Sequence, residues 1–295
     1  MKCPMEAHFM SKNLKKPTTY NEQIDILKKR GLVVNNEDEA RVFLSNVNYY
    51  RSTGYLLPFT KQDRIYDLDF ERFRDIYYFD AEMRNLLYIT IEKIEISLRT
   101  KLSYYSAHKY GALGYMDSSN YNRKHNHSQF DKLIKSSIKE NRNSPVIRHH
   151  ENMYGGQFPI WVMIDYFTLG MLSHFYTDMK NADKTNISIY EFGVNYQTLS
   201  SWLKCLADLR NRCAHYSRLY YWKFPSIPKQ KTGDDFVYDQ GLFSQIYFLK
   251  YLYPERDRWE KDFVKPLIKL VNKYKKSIKM DDIGFPYRWK YYLRR

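Results

Sequence analysis

The sequence predicts an all-α fold, and three observations carry that expectation. Glycine and proline are scarce, 11 and 10 in 295 residues, which leaves few turns and few helix breakers. Apolar residues recur every three or four positions over long stretches. Polar start residues and glycine stop residues bracket several of those stretches. Hydrophobic residues make up 43% of the chain, enough to build a real core rather than a disordered polymer.

Residues 1–17 read as a lead-in. Thr18 and Thr19 are positioned to cap a first helix that buries Ile24, Ile26 and Leu27 and stops at Gly31. A second helix is expected after Asn35 and Asn36. Glu37, Asp38 and Glu39 would stand in its first turn, and Ala40, Val42, Phe43 and Val47 on its buried side. The ring-rich stretch from Tyr49 to Tyr55 reads as a loop. From about Asp69 to Tyr110 runs the longest helical pattern, with Leu87, Ile91, Ile94, Leu98, Leu102 and Tyr105 forming one stripe.

Residues 111–156 are polar and uneven, an insertion with one helix from about Ser128 to Glu140. Helices are expected again over Phe158–Lys180, Gln197–Tyr216, Gly241–Leu252 and Glu255–Lys279. The chain closes on Tyr287–Arg295, where Arg288, Lys290, Arg294 and Arg295 alternate with rings. That pattern suits contact with a single strand, and equally suits an amphipathic docking segment. The organisation expected is an N-terminal helical extension (1–67), a helical core (68–222) carrying the insertion, and a basic helical C-terminal region (223–295).

Lys and Arg number 48 against 33 Asp and Glu, a net charge of +15. A field of that sign draws polyanions, nucleic acid first and an anionic membrane surface second. There are 29 Tyr, 17 Phe and 5 Trp; rings interleaved with cations suit unpaired bases, although an AT-rich coding bias also enriches Tyr, Lys, Asn and Ile. Cys3, Cys205 and Cys213 form no CxxC pair and no disulfide framework, which fits a reducing compartment. The polar N-terminus has no apolar signal core, so a cytoplasmic protein is expected. Pro159–Tyr176 is broken by Asp165 and His174 and reads as a buried helix, so no membrane association is expected.

Glycine-rich nucleotide loops, the Gly-x-Ser-x-Gly elbow and His-Glu-x-x-His are all absent, and no nucleotide cofactor is expected. His125 and His127 form a His-x-His pair, but no Cys or close carboxylate completes a four-ligand set, so no metal is expected either. What remains is the cluster Leu209–Leu219, with Arg210, Asn211, Arg212, His215 and Arg218, at the end of a helix that buries Leu199, Trp202, Leu206, Leu209 and Cys213. An imidazole moves protons near neutral pH, and a guanidinium holds a phosphate by two parallel bonds. Together they supply what RNA cleavage needs, because RNA carries its own nucleophile in the 2′-hydroxyl. In a continuous helix, residues five apart lie roughly 140° from each other. Arg210 and His215 would then converge only if the helix loosens between them or two chains bring their pairs together. The plainer reading makes His215 a helix-end charge and Arg210 an ion-pair partner of Asp208 or another acid.

Ordered blocks across residues 16–222 resemble a known family. They are Lys16–Tyr20 with Gln23 and Leu27–Leu32; Tyr49–Arg51, Gly54–Tyr55 and Pro58–Phe59; Ile94–Arg99; Pro159–Val162 with Leu169–Ser173; and Arg210–Asn211, Cys213–His215 and Arg218–Leu219. The family is the AbiD/AbiF-like abortive-infection proteins, a branch of the HEPN superfamily. The resemblance implies a HEPN-type helical bundle and a metal-independent endoribonuclease acting in phage defence. It implies that Arg210 and His215 are the catalytic pair with Asn211 beside them, and that Glu95 and Arg99, matching a Glu-x3-Lys/Arg pattern, orient the arginine. RNA is then the expected partner, as substrate and as a small structured non-coding RNA, and a homodimer is the expected assembly. Arg212, Arg218, Arg288, Lys290, Arg294 and Arg295 are the expected RNA-binding residues. The alternative is a non-catalytic RNA-binding scaffold that uses the same basic site. One departure stands out: after Arg218–Leu219 the family tends to carry an aromatic residue and then Asn, whereas this chain has Tyr220 and Tyr221.

Overall fold

The computed structural model describes residues 14, 16–61 and 65–294. The 1–17 lead-in falls largely outside them, as do Cys3 and Arg295. Among the described residues the fold is all-α, with no strand and only isolated bridges such as Tyr121–Met179. The chain divides into two compact units, residues 1–74 and 75–295.

The first unit begins with α1 (Tyr20–Lys29), which Thr19 and Glu22 close with a reciprocal capping box. Gly31 follows at φ 84°, where a side chain would collide with Ile65. Helix α2 (Glu37–Asn46) is capped by Asn36, whose side chain accepts from the Glu39 amide at 3.1 Å. Its three leading acids stand at the positive end of the helix dipole. Val42 is exposed rather than buried. Residues 49–55 hold a short helix, α3 (Tyr49–Thr53), where a loop was expected. Asn48 makes it possible by accepting from the amides of both Tyr50 (2.9 Å) and Arg51 (3.3 Å).

Helix α4 (Phe70–Tyr110) runs unbroken for 41 residues. Its stripe of Ile76, Phe79, Met83, Leu87, Ile91, Ile94, Leu98 and Leu102 is buried, as three-four spacing requires. In the second unit the insertion contains two helices, α5 (His127–Glu140) and α6 (Pro145–Tyr154), where one was expected. Pro145 pre-sets the first turn of α6 and Gly155, at φ 59°, ends it.

The stretch expected as one helix over 158–180 is broken into α7 (Ile160–Met163), a 3-10 turn at Ile164–Tyr166 and α8 (Leu169–Asp178). Thr168 starts α8 afresh by accepting from the Met171 amide at 3.1 Å. The break leaves the Phe167 carbonyl outside the helices and the Ile164 carbonyl in a single 3-10 turn, and both accept from Arg99.

Next come α9 (Asn181–Phe192) and α10 (Tyr196–Ala214), the latter buried along Leu199, Trp202, Leu206, Leu209 and Cys213. The C-terminal region supplies α11 (Leu242–Tyr247), α12 (Leu249–Leu252), a π turn at Glu260–Val264 running into α13 (Lys265–Tyr274), and α14 (Trp289–Arg294). It packs on α10: the Trp202 ring stacks on Phe248 and Tyr251 at 5.6 and 5.4 Å. The tail is amphipathic and docked. Trp289 and Leu293 are buried, and the Leu293 carbonyl accepts from Trp259 at 2.9 Å. Arg288, Lys290 and Arg294 face outward.

Many tyrosines are structural. Tyr115, Tyr121 and Tyr176 are buried and donate to the carbonyls of Phe158, Tyr115 and Lys184 at 2.7, 2.7 and 2.9 Å, so each ring fills the core while its hydroxyl bonds a backbone carbonyl.

Candidate active site

Helix α10 ends at the candidate site. Its last residue is Ala214, and His215 is the cap, with φ −90° and ψ 14°. The Tyr216 amide donates back to Cys213 at 3.1 Å and the Ser217 amide to Arg212 at 2.8 Å. This pairing is the Schellman motif, which requires a left-handed residue one position past the cap. Glycine is the usual occupant; here it is Tyr216, at φ 55°, with 67% of its surface exposed. Helical hydrogen bonding reaches His215, whose amide donates to the Asn211 carbonyl at 2.9 Å, and the chain turns away after it, leaving the residue exposed.

Arg210 lies one turn earlier, half-buried. Its Nε is 3.8 Å from Oε2 of Glu95 on α4, and its Nη1 is 3.4 Å from Oδ1 of Asn211. Glu95 is paired on its other side with Arg99, four residues on. Arg99 also donates to the carbonyls of Ile164 and Phe167, the latter at 2.7 Å. A chain of contacts thus runs from the broken helix through Arg99 and Glu95 to Arg210. It borders a cavity of about 220 Å³ with Tyr88, Glu92 and Ile96. Glu95 and Arg99 are only 14% and 12% exposed, so their pairing is screened far less than a surface pair. Asp208 is not the acid beside Arg210; Glu95 is.

Arg212 points elsewhere. Its guanidinium lies 3.6 Å from the Trp222 ring centroid, and its Nη2 donates to the Arg218 carbonyl at 3.0 Å. It ties the chain after the site to α10. Cys213 sits inside the motif but is buried, and burial pushes its thiol up to about 12, so it is a packing residue rather than a nucleophile. Arg288, Lys290 and Arg294 are on the tail; Arg294 is 3.1 Å from Glu260, and Arg288 lies over the Tyr291 ring at 4.5 Å. His125 is buried, 2.9 Å from Asp178 and stacked on Tyr121. No group of three or more His, Cys, Asp and Glu side chains among the described residues is placed to hold a metal ion.

Two residues that sequence reasoning missed hold the loop after His215. Asp80, on α4 and 1% exposed, accepts from the amides of Leu219 (3.1 Å) and Tyr220 (2.8 Å) and pairs with Arg84, itself 4% exposed. Arg84 also reaches the Ser217 carbonyl at 3.5 Å. A buried acid–base pair at helical spacing was the available signal, since such a pair is rarely buried without a task. Tyr221 follows at φ 58°. That is the position where the resembled family tends to carry Asn, the non-glycine residue that best tolerates this conformation.

The fold and the site together define a helical protein with an Arg–His constellation at a helix end, the arginine held by a carboxylate from a neighbouring long helix. The chain matches the Abi-like protein family over residues 42–221 and belongs to that family, which points to a role in abortive infection. No curated protein and no solved structure matches it. No helix among the described residues is long and apolar enough to cross a membrane.

Proposed function

We propose that this protein is a metal-independent endoribonuclease of the HEPN kind that serves abortive infection by cleaving RNA in the cytoplasm. The observation that carries the reading is the setting of Arg210: its guanidinium is held by Glu95, which Arg99 anchors, one turn before an exposed His215 at the end of the same helix. Arg210 binds the scissile phosphate and stabilises the charge that grows on it. His215 moves the proton, taking it from the 2′-hydroxyl or giving it to the departing 5′-oxygen. The 2′-oxygen bonds to phosphorus, the bond to the 5′-oxygen breaks, and the products are a 2′,3′-cyclic phosphate and a 5′-hydroxyl. Asn211, beside Arg210, contributes a hydrogen bond to the same phosphate. A homodimer that brings two such pairs together supplies both a base and an acid. A small structured RNA held by the basic surface, including Arg218 and the outward cations of the tail, controls access.

The test is cleavage of a labelled RNA in EDTA. Wild type should cut. His215→Ala should lose roughly 10²–10⁴ in rate. Arg210→Ala should lose on the order of 10²–10³. Both should keep most RNA affinity. A 2′-deoxy substitution at the cut position should stop the reaction. Cleavage that survives that substitution, or that requires Mg²⁺, sinks the mechanism. Salt-dependent binding without any cleavage leaves the scaffold reading in its place.

A further inference from the structure

The first unit contains a cleft of about 750 Å³, the size of a small-molecule site, that the catalytic reading does not use. Three tyrosines line it. Tyr50 is 73% exposed and Tyr20 45% exposed, and Tyr49 stands edge-on to Tyr50 with centroids 5.7 Å apart. Two cations, Lys16 and Arg30, line it as well, and no Asp or Glu among the described residues does. Two polar atoms on lining residues, Gln23 Oε1 and Tyr49 Oη, are closed to solvent and have no hydrogen-bond partner among the described residues. Gln23 already spends its amide nitrogen on the Thr18 carbonyl, at 3.2 Å, so what it lacks is a donor. Tyr49 lacks a partner of either kind. Such orphans are rare in native proteins and call for an explanation.

Exposed rings, cations without acids among the described lining residues, and two lining side chains with unmet hydrogen-bonding capacity match one chemical class. A nucleobase has a π-face for Tyr50 and Tyr20 and an edge that both donates and accepts, and its phosphate suits Lys16 and Arg30. We propose that this cleft binds a nucleoside monophosphate unit, base on the tyrosines and phosphate on the cations. The source is either a free nucleotide or one unpaired residue of an RNA strand; the proposal goes beyond the nuclease reading and does not depend on it.

Binding to full-length protein is measured by calorimetry with three probes: AMP, ribose 5-phosphate, and a 2′-O-methyl RNA decamer that no 2′-hydroxyl chemistry can cut. AMP or the decamer should bind, and ribose 5-phosphate should bind at least roughly tenfold more weakly, because it has no base to stack. Tyr50→Ala, at an exposed ring, should weaken the nucleotide probe by about tenfold, and Lys16→Gln should weaken it and flatten its salt dependence. AMP binding alone identifies a free nucleotide as the ligand. Decamer binding that Tyr50→Ala weakens, without AMP binding, identifies the strand. The proposal is overturned if neither probe binds, or if both variants bind as wild type does. Because no cleavage is read, a protein without nuclease activity still answers the question.

Discussion

Tyr216 occupies a position that glycine fills at lower cost. A non-glycine residue in the left-handed region costs roughly 1–2 kcal/mol. At Tyr216 that cost is incurred next to His215, on a residue that is 67% exposed. Strain of this sort collects at functional sites. Tyr216→Gly is therefore expected to stabilise the fold by about 0.5–1 kcal/mol in urea unfolding while weakening RNA affinity or cleavage several-fold, since an exposed ring next to His215 is lost. Loss of stability would show that the ring's packing outweighs the backbone strain. Tyr221 shares the conformation but is half-buried, with its ring 5.0 Å from that of Tyr220, so the same substitution there surrenders a contact.

At the scale of elements, the pivotal arrangement is α4 holding both sides of the α10 terminus. Glu95 reaches Arg210 before the helix end, and Asp80 reaches the amides of Leu219 and Tyr220 after it. Asp80→Asn keeps the shape but exchanges a carboxylate for an amide. Each amide hydrogen bond to a buried charge contributes about 1.5–3 kcal/mol, and Arg84 would be left buried beside a neutral group. The variant should lose on the order of 3 kcal/mol of stability. In hydrogen exchange, the amides of Leu219 and Tyr220 should lose protection more than those in the middle of α10. Uniform loss of protection would mean that Asp80 supports the whole unit rather than this loop. Where cleavage is measurable, the rate should fall while RNA affinity holds.

For the whole molecule, stability should depend on pH through Asp183. It is fully buried between α4 and α9 and accepts from Tyr105 and Tyr110 at 2.9 and 2.6 Å while pairing with Lys109. Burial alone would raise its carboxyl, but the donors from Lys109, Tyr110 and Tyr105 outweigh it and hold the carboxyl below its ordinary value. A depressed carboxylate stabilises the fold fully above its unfolded pKa, near ~4, and that contribution is lost as pH falls through the lower folded value. Wild type should therefore lose stability between roughly pH 5 and 2, part of it through this group. Asp183→Asn should be less stable at pH 7 by on the order of 2–4 kcal/mol and should lose less on acidification. An acid slope identical to wild type would show that other carboxylates govern the transition.

Much of this protein was determined locally and was legible in order along the chain. Thr19, Asn36 and Gly31 set helix boundaries through caps and turns that involve residues only a few positions away. The stripe on α4 follows from three-four spacing alone. The helix end at which Arg210 and His215 stand was legible as well, whereas their candidacy as a site came from the family resemblance rather than from their spacing. The tertiary structure decided what depends on distant partners. Asp80 meets Leu219 across 139 residues, and no local pattern names that partner. Thr168 starts a new helix within the apolar run at 158–180, and the Phe167 carbonyl left before it finds a donor only because Arg99 arrives on another helix. Which acid holds Arg210 was likewise settled between Asp208 and Glu95 by packing. Helices form from interactions within a turn, whereas a site is assembled by the burial of segments that the chain keeps far apart.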